Sequence, residues 1–112
     1  MPFIIIQTKE VECPVNIENL AHELSQKMSI RVERINIIVN YFNEGNAFMG
    51  GGTDNLIVNI WVSETNEKEF IWKLAKTIAA LTAKYFHKEW KDTAVICNFI
   101  KEKYLFVNDQ FI

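Results

Sequence analysis

Two segments of this chain share one sequence pattern, and each closes a stretch in which a strand, a helix and a second strand are predicted. Residues 37–42 have the sequence Ile-Ile-Val-Asn-Tyr-Phe, and residues 95–100 have the sequence Val-Ile-Cys-Asn-Phe-Ile. Both contain three apolar residues, then an asparagine, an aromatic residue and a further apolar residue. Such a repeat predicts a chain made of two β-α-β units.

The first predicted unit begins with a strand over Phe3 to Ile6. We expect Asn16 to cap the helix that follows, because it comes after the Cys13-Pro14 turn and Glu18 lies in the first helical turn. The β-branched run from Arg34 to Phe42 favours a strand over a helix. One face of the predicted helix is apolar at helical spacing, formed by Ile17, Leu20, Ala21, Leu24 and Met28.

The second predicted unit begins with a strand from Leu56 to Val62, whose side chains alternate between the two faces. Asn66 and Glu69 indicate a capping box at the start of the second helix. Thr93 to Ile100 is predicted as the fourth strand. The apolar positions of the second helix recur at helical spacing and are Phe70, Leu74, Ile78, Leu81 and Tyr85.

Two such units side by side give a four-stranded mixed sheet with both helices on one face, which is an α+β fold. A loop or hairpin over Asn43 to Asp54 joins the units. The strands place large apolar side chains on both sheet faces, whereas two helices cover only one face. Burial of each such side chain is worth about 1.5–3 kcal/mol. We therefore expect self-association through the other face, and cyclic homo-oligomers are the usual form.

The composition is that of one globular domain over residues 1–112, with 49% hydrophobic and 23% charged residues. A formal net charge of -2 does not supply the basic face that nucleic-acid binding requires, so we expect no nucleic-acid partner. No apolar run approaches the length of a membrane span, and the apolar N-terminal run lacks a preceding basic segment. We expect no membrane partner and a cytoplasmic location.

The cysteines and histidines do not predict a metal site. Cys13 and Cys97 follow no metal-ligand spacing, and His22 and His87 are isolated in the sequence. In the expected cytoplasmic compartment the two thiols should be reduced rather than bridged. We expect neither a metal nor a cofactor.

Pro2 follows the initiator methionine directly, so removal of Met1 would make Pro2 the amino terminus. Its secondary amine would then lie beside the apolar strand Phe3 to Ile6, where desolvation lowers the pKa of the amine toward neutrality. A general base works best when its pKa lies near the operating pH, so Pro2 is the candidate catalytic base. A purely structural interpretation also stands, since proline can start an edge strand without a ladder donor.

The Met-Pro start, the doubled strand-helix-strand pattern and the chain length together resemble the tautomerase superfamily, in particular its longer members such as macrophage migration inhibitory factor. The resemblance covers nearly the whole chain. It includes the segment Ala47 to Asp54 and the tail Tyr104 to Phe111, in which Tyr104 to Val107 is predicted as a short fifth strand. The segment Val58 to Trp61 and the tail are also similar to a small bacterial branch of that superfamily. The resemblance implies homotrimers whose three sheets enclose a barrel, with a tail that reaches a neighbouring subunit.

The same resemblance implies keto-enol isomerisation, or a related proton transfer, on a small 2-oxo acid, with Pro2 taking a proton from the carbon next to the carbonyl. A cation must then stabilise the enolate and the substrate carboxylate. The family's lysine after the first helix falls near Ile30, so Arg31 and Arg34 are the nearest cations. Strand alternation does not predict that Arg31 and Arg34 both face one pocket. The alternative role for these arginines is a surface ion pair with Glu33.

Asn98 matches an asparagine of the family's last strand, whereas the family's adjacent tyrosine is replaced by Ile96 or its neighbour. Asn98 is a candidate for hydrogen-bonding the substrate, and bonding to local backbone is the alternative. Because the family's lysine and tyrosine are missing, two hypotheses remain. The first is a tautomerase-like enzyme, and the second is a catalytically silent trimer that binds a small ligand or a protein.

Overall fold

A computed structural model describes residues 2–52 and 54–112. The expectation about removal of Met1 and the position of Thr53 in the glycine-containing segment lie outside these residues. The elements, in chain order, are β1 (Phe3–Lys9), α1 (Ile17–Met28), β2 (Asn36–Phe42), β3 (Leu56–Ser63), α2 (Lys68–Tyr85), β4 (Thr93–Ile100), β5 (Phe106–Val107) and β6 (Gln110–Phe111). Short 3₁₀ turns occupy Val32–Arg34, Glu44–Asn46 and Trp90–Asp92.

The sheet confirms the two-unit prediction. Its strand order is β2-β1-β3-β4. Within each unit the strands are parallel, so that Ile4 is opposite Ile37 in the first unit and Val58 is opposite Val95 in the second. The units meet through antiparallel β1 and β3, where Ile4 is opposite Ile60. The sheet is therefore mixed, and β1 is a central strand rather than the edge strand that the structural interpretation of Pro2 required.

The helix termini follow the prediction in α1 but not in α2. Asn16 caps α1, since its side-chain oxygen accepts a hydrogen bond from the Asn19 N–H at 3.0 Å. The predicted capping box of α2 is wrong, because the helix begins at Lys68 and its N-cap is Glu67, which makes no side-chain cap bond. The Asn66 amide instead donates to the Ser63 carbonyl at 3.0 Å within the preceding turn.

The core lies between the helices and one face of the sheet. Strand alternation places Ile4, Ile6, Val58 and Ile60 there, packed against helix residues that include Leu24. The core residues from both helices are Leu20, Leu24, Met28, Ile71, Leu74, Ile78 and Leu81. Both helices therefore cover the same sheet face, as the sequence predicts.

The opposite face of the sheet, which we call the open face, carries the other residue of each alternating pair. Ile38 on β2 is 59% exposed and Ile96 on β4 is 49% exposed. The tail adds a β5–β6 hairpin with exposed Tyr104 and Phe106. Apolar side chains thus remain in contact with solvent on the face that the sequence predicts to be covered by self-association.

Neither helix in the described ranges combines the length and the apolar character that crossing a bilayer requires.

Candidate active site

Pro2 is buried and lies immediately before β1, at the end of the sheet where α1 finishes. The Pro2 carbonyl accepts hydrogen bonds from the Asn36 backbone N–H at 3.2 Å and from the Asn36 side-chain amide at 3.4 Å. These bonds tie the residue to the start of β2. Pro2 is therefore held in place by the sheet, and its ring contributes to the wall of a pocket.

The 3₁₀ turn between α1 and β2 brings both candidate arginines to that pocket. The Arg34 N–H donates to the Arg31 carbonyl at 2.9 Å, which closes the turn. This bond brings the backbones of the two arginines together, and both residues line the pocket. The sequence predicted that the strand begins at Arg34, and in a strand the alternation of side chains would not bring Arg31 and Arg34 to one pocket. The observed strand begins at Asn36, so that both arginines precede it.

The pocket has a volume of about 240 Å³. Besides Pro2 and the two arginines, its lining comes from residues that the sequence did not single out as functional, in the segment after α1, on β3, and at the start of α2 and just before it. Ser29, the left-handed residue that ends α1, lets the chain turn back over the sheet. The lining residues are Pro2, Ser29, Ile30, Arg31, Arg34, Val62, Asn66 and Phe70. Pro2, two arginines and the apolar residues Ile30, Val62 and Phe70 thus line one pocket.

The two arginines differ in their ion pairing. Arg31 Nε lies 3.5 Å from the Glu33 carboxylate, and both side chains are largely exposed, so this pair is weak. Arg34 has no ion-pair partner within residues 2–52 and 54–112. The surface-pair alternative therefore applies to Arg31, while Arg34 offers an unpaired guanidinium at the same pocket.

Asn98 lies elsewhere in the monomer. It is opposite Trp61 in the β3–β4 ladder, and it falls on the open face by strand alternation. Its side-chain amide donates to the Asn59 side-chain oxygen and to the Ile60 carbonyl, both at 3.3 Å. The backbone-bonding alternative for Asn98 is therefore observed, and the residue does not line the pocket that holds Pro2.

The shifted titrating groups lie outside the pocket. Hydrogen bonds from Lys84 and Tyr85 lower the pKa of Glu23, and this cluster joins α1 to α2 on the outer surface. Burial raises the pKa of the Cys97 thiol. Both cysteines are free. No cluster of three His, Cys, Asp or Glu side chains suited to a metal ion occurs in the described part of the chain.

Sequence comparison identifies no relative, since no protein-family model and no curated protein matches this chain. Structural comparison finds solved structures of the same fold. R7 fused 4-OT, a wild-type asymmetric trimer, superposes with a TM-score of 0.85 at 10% identity over 97% of this chain and 94% of that one. Pt0534 inactivated by 2-oxo-3-pentynoate gives a TM-score of 0.84 at 10% identity over the same shares.

Macrophage migration inhibitory factor from Oncomelania hupensis gives a TM-score of 0.77 at 10% identity, over 97% of this chain and 95% of that chain. The similarity to these structures extends through both β-α-β units, since each alignment covers nearly the whole chain. The resemblance that the sequence suggests is thus confirmed at the level of the fold. The chain has the fold that fused 4-OT and macrophage migration inhibitory factor share.

Proposed function

We propose that this protein catalyses keto-enol isomerisation, or a related proton transfer, on a small 2-oxo acid, with the amine of Pro2 as general base. The observation that carries the proposal is that a buried Pro2 shares one pocket with the guanidinium groups of Arg31 and Arg34. A base and a carboxylate-binding cation are the two groups that such a reaction needs. Folds of this kind host many activities, so the site rather than the fold supports the function.

The pocket suits the amine of Pro2 to act as a base once Met1 is removed. The apolar walls from Ile30, Val62 and Phe70 disfavour the charged ammonium form, and the neighbouring guanidinium groups disfavour it further. Both effects lower the pKa of the amine. The neutral amine takes a proton from C3 of the 2-oxo acid, and the resulting ammonium returns a proton to the C2 oxygen to complete the enol.

Arg34 is the residue to which we assign the substrate carboxylate. Its guanidinium has no competing ion pair among the described residues, whereas Arg31 is already beside Glu33. A guanidinium forms two parallel hydrogen bonds to a carboxylate, which fixes the orientation of the acid. Positive charge next to the C2 oxygen also stabilises the enolate that develops during proton removal.

We propose further that the protein is a homotrimer assembled through the open face and the β5–β6 hairpin. Exposed Ile38 and Ile96 on the sheet, together with Phe106 and Phe111 on the hairpin, form the apolar surface that such an assembly would bury. R7 fused 4-OT and Q0 fused 4-OT are themselves trimers. In sedimentation velocity, Ile38→Asp should dissociate the assembly, while Ala80→Asp on the exposed side of α2 should not. A monomeric parent protein would contradict this assignment.

The central experiment follows exchange of the C3 hydrogens of 2-oxobutanoate for deuterium by NMR, using tag-free protein whose mass confirms that Met1 is absent. Pro2→Ala should lower kcat/KM by about 100-fold or more, in the range that general-base catalysis contributes. The chain contains a matched control, since Pro14 is its second proline and is exposed. Pro14→Ala should exchange the acid at the parent rate.

The reagent 2-oxo-3-pentynoate gives an independent measurement. Its triple bond is conjugated to the carbonyl, so a neutral amine in the pocket should add to it, and peptide mapping should locate the adduct on Pro2. Protein that retains Met1 has an amide at this position and should resist labelling. Equal exchange rates for Pro2→Ala and parent would remove the proposed base. No exchange by verified Met1-free protein would favour the silent binding protein instead.

A further inference from the structure

Three residues, Pro2, Val62 and Phe99, form a row across the sheet at the end where Pro2 lies. Phe3 is opposite Trp61, so Pro2 precedes β1 at the level of Val62 on β3. Val62 in turn is opposite Phe99 on β4. Because neighbouring strands lie about 4.8 Å apart, the row from Pro2 to Phe99 spans about 10 Å. All of it faces the helices, since Pro2 and Val62 share a pocket with α2 residue Phe70.

A second pocket of about 440 Å³ occupies the far end of this row. Trp72 on α2 and Phe99 on β4 form its apolar walls and are 55% and 58% exposed. The Lys68 ammonium lies 4.5 Å from the centre of the Trp72 ring, which helps to hold the indole in place. The lining residues are Glu64, Asn66, Lys68, Ile71, Trp72 and Phe99. Asn66 lines both pockets, so the second adjoins the first.

We propose that the second pocket binds the distal apolar chain of the substrate, so that the preferred substrates are 2-oxo acids with an unbranched chain of roughly ten carbons. This inference rests on the proposed function of the Pro2 pocket. The two adjoining pockets together form a groove, and the order of chemical groups along this groove supports the inference. Arginines lie at the β2 side, the proline at β1, and a tryptophan and a phenylalanine beyond β3.

The chemistry of the two pockets fixes the orientation of such an acid. The first pocket offers two guanidinium groups to a carboxylate. In the second pocket Glu64 and Lys68 carry opposite charges, and the remaining wall is apolar apart from Asn66, so a second carboxylate gains little there. An extended chain advances about 1.2 Å per bond, as a polypeptide advances 3.3–3.6 Å over three bonds. About eight bonds therefore reach from the proline to Phe99.

The groove lies on the helical side of the sheet, whereas the surface assigned to self-association is the open face and the hairpin. Trp72 and Phe99 line the groove, while Ile38 and Ile96 belong to the other face by strand alternation. Assembly through the open face thus leaves the groove accessible to a substrate.

The test compares C3 exchange of 2-oxodecanoate with that of 2-oxobutanoate. Each methylene withdrawn from water improves binding about fourfold, so three or four buried methylenes should give a preference of about 100-fold in kcat/KM for the longer acid. Trp72→Ala should lower this preference about tenfold through a loss of kcat/KM with 2-oxodecanoate. Trp90→Ala is the matched control, since Trp90 is 81% exposed and lines neither pocket.

Binding is measured separately from turnover. In Pro2→Ala protein, decanoate titrations followed by NMR should give a dissociation constant that Trp72→Ala raises about tenfold and Trp90→Ala leaves unchanged. Exchange of 2-oxobutanoate without a chain-length preference would overturn the inference and leave the proposed function intact. Absence of all exchange would overturn the proposed function. In that case Trp72-dependent binding of decanoate would still support the groove, and its absence would overturn the groove as well.

Discussion

The two ends of the helical layer share one backbone design but differ in their side chains. After each helix comes a left-handed residue with φ of 55°, and the N–H that follows it bonds to a carbonyl five residues back, at 3.1 Å after α1 and 2.8 Å after α2. These left-handed residues are Ser29 and His87. Such Schellman-type bonds satisfy the carbonyls that a helix leaves free at its C-terminus.

The likeness continues into the strands. A 3₁₀ turn follows each helix, closed by Arg34 N–H to Arg31 O and by Asp92 N–H to Glu89 O, both at 2.9 Å. By strand register the counterpart of Pro2 is Leu56, a buried core residue. The backbone is thus repeated, but two arginines at one turn correspond to two acidic residues at the other.

Each end also has a pocket between the end of one helix and the start of the other. The pocket opposite the Pro2 pocket has a volume of about 330 Å³ and is lined by Val11, Glu12, Cys13, Pro14, Val15, Tyr85, Phe86 and His87. The two pockets therefore provide an internal control within one molecule. Equivalent substitutions in the shared backbone should change stability equally at both ends, whereas the proposed activity should depend only on residues at the Pro2 end.

The largest difference between the ends should come from charge at the 3₁₀ turns. Arg34→Gln removes the guanidinium assigned to the substrate carboxylate, and a hydrogen bond to a charged group is worth about 1.5–3 kcal/mol. We expect kcat/KM for 2-oxo acid exchange to fall about 10- to 100-fold. Asp92→Asn, at the counterpart position, should change kcat/KM by less than twofold.

Arg31→Gln ranks between these two variants, because Arg31 lines the same pocket but is paired with Glu33. We expect about a threefold loss. Arg34→Lys should recover part of the activity lost in Arg34→Gln, since it restores the charge without the paired donors. If Arg31→Gln costs more than Arg34→Gln, our assignment of the carboxylate to Arg34 is wrong.

Thiol chemistry sharpens the comparison without a mutation. Cys13 is exposed in the pocket opposite the Pro2 pocket, whereas Cys97 is partly buried and burial raises the pKa of its thiol. The thiolate is the reactive form, so iodoacetamide near neutral pH should modify Cys13 about tenfold faster than Cys97. Raising the pH increases the thiolate fraction of Cys97, so the difference between the modification rates of Cys13 and Cys97 should become smaller. Peptide mapping gives both rates.

The same reaction also tests the independence of the two pockets. Protein alkylated at Cys13 alone should exchange 2-oxobutanoate at the unmodified rate, because the added group lies at the other end of the helical layer. A large loss of activity after selective modification of Cys13 would show that the two ends are coupled.

Hydrophobic periodicity predicted the sheet and both helices because burial sets that period. The fourth strand, Thr93–Ile100, has the predicted bounds, and Asn16 caps α1 as expected. Turns were predicted less well, because their geometry depends on hydrogen bonds that no periodicity records. Asn66 illustrates this. Its backbone N–H and its side-chain amide both donate to the Ser63 carbonyl in a turn, whereas the sequence predicts that Asn66 caps α2.

The site shows the same division. Pro2, Arg31 and Arg34 were candidates from the sequence, but strand alternation did not predict that both arginines line one pocket. The 3₁₀ turn brings both to that pocket. The apolar positions Val62 and Phe70 were predicted only as strand and helix residues, because a pocket wall and a core face have the same hydrophobic pattern. Their role depends on where the elements end.

The smallest predicted effect is one in which the two ends should behave alike. Ser29 and His87 both adopt left-handed backbone, which costs a residue with a Cβ about 1 kcal/mol relative to glycine. Ser29→Gly and His87→Gly should therefore each raise the free energy of unfolding by about 1 kcal/mol in urea titrations. Ala80→Gly, at an exposed position inside α2, should lower it by a similar amount. Stabilisation at only one end would show that the backbone design is not shared, and the internal control would then apply only to side-chain chemistry.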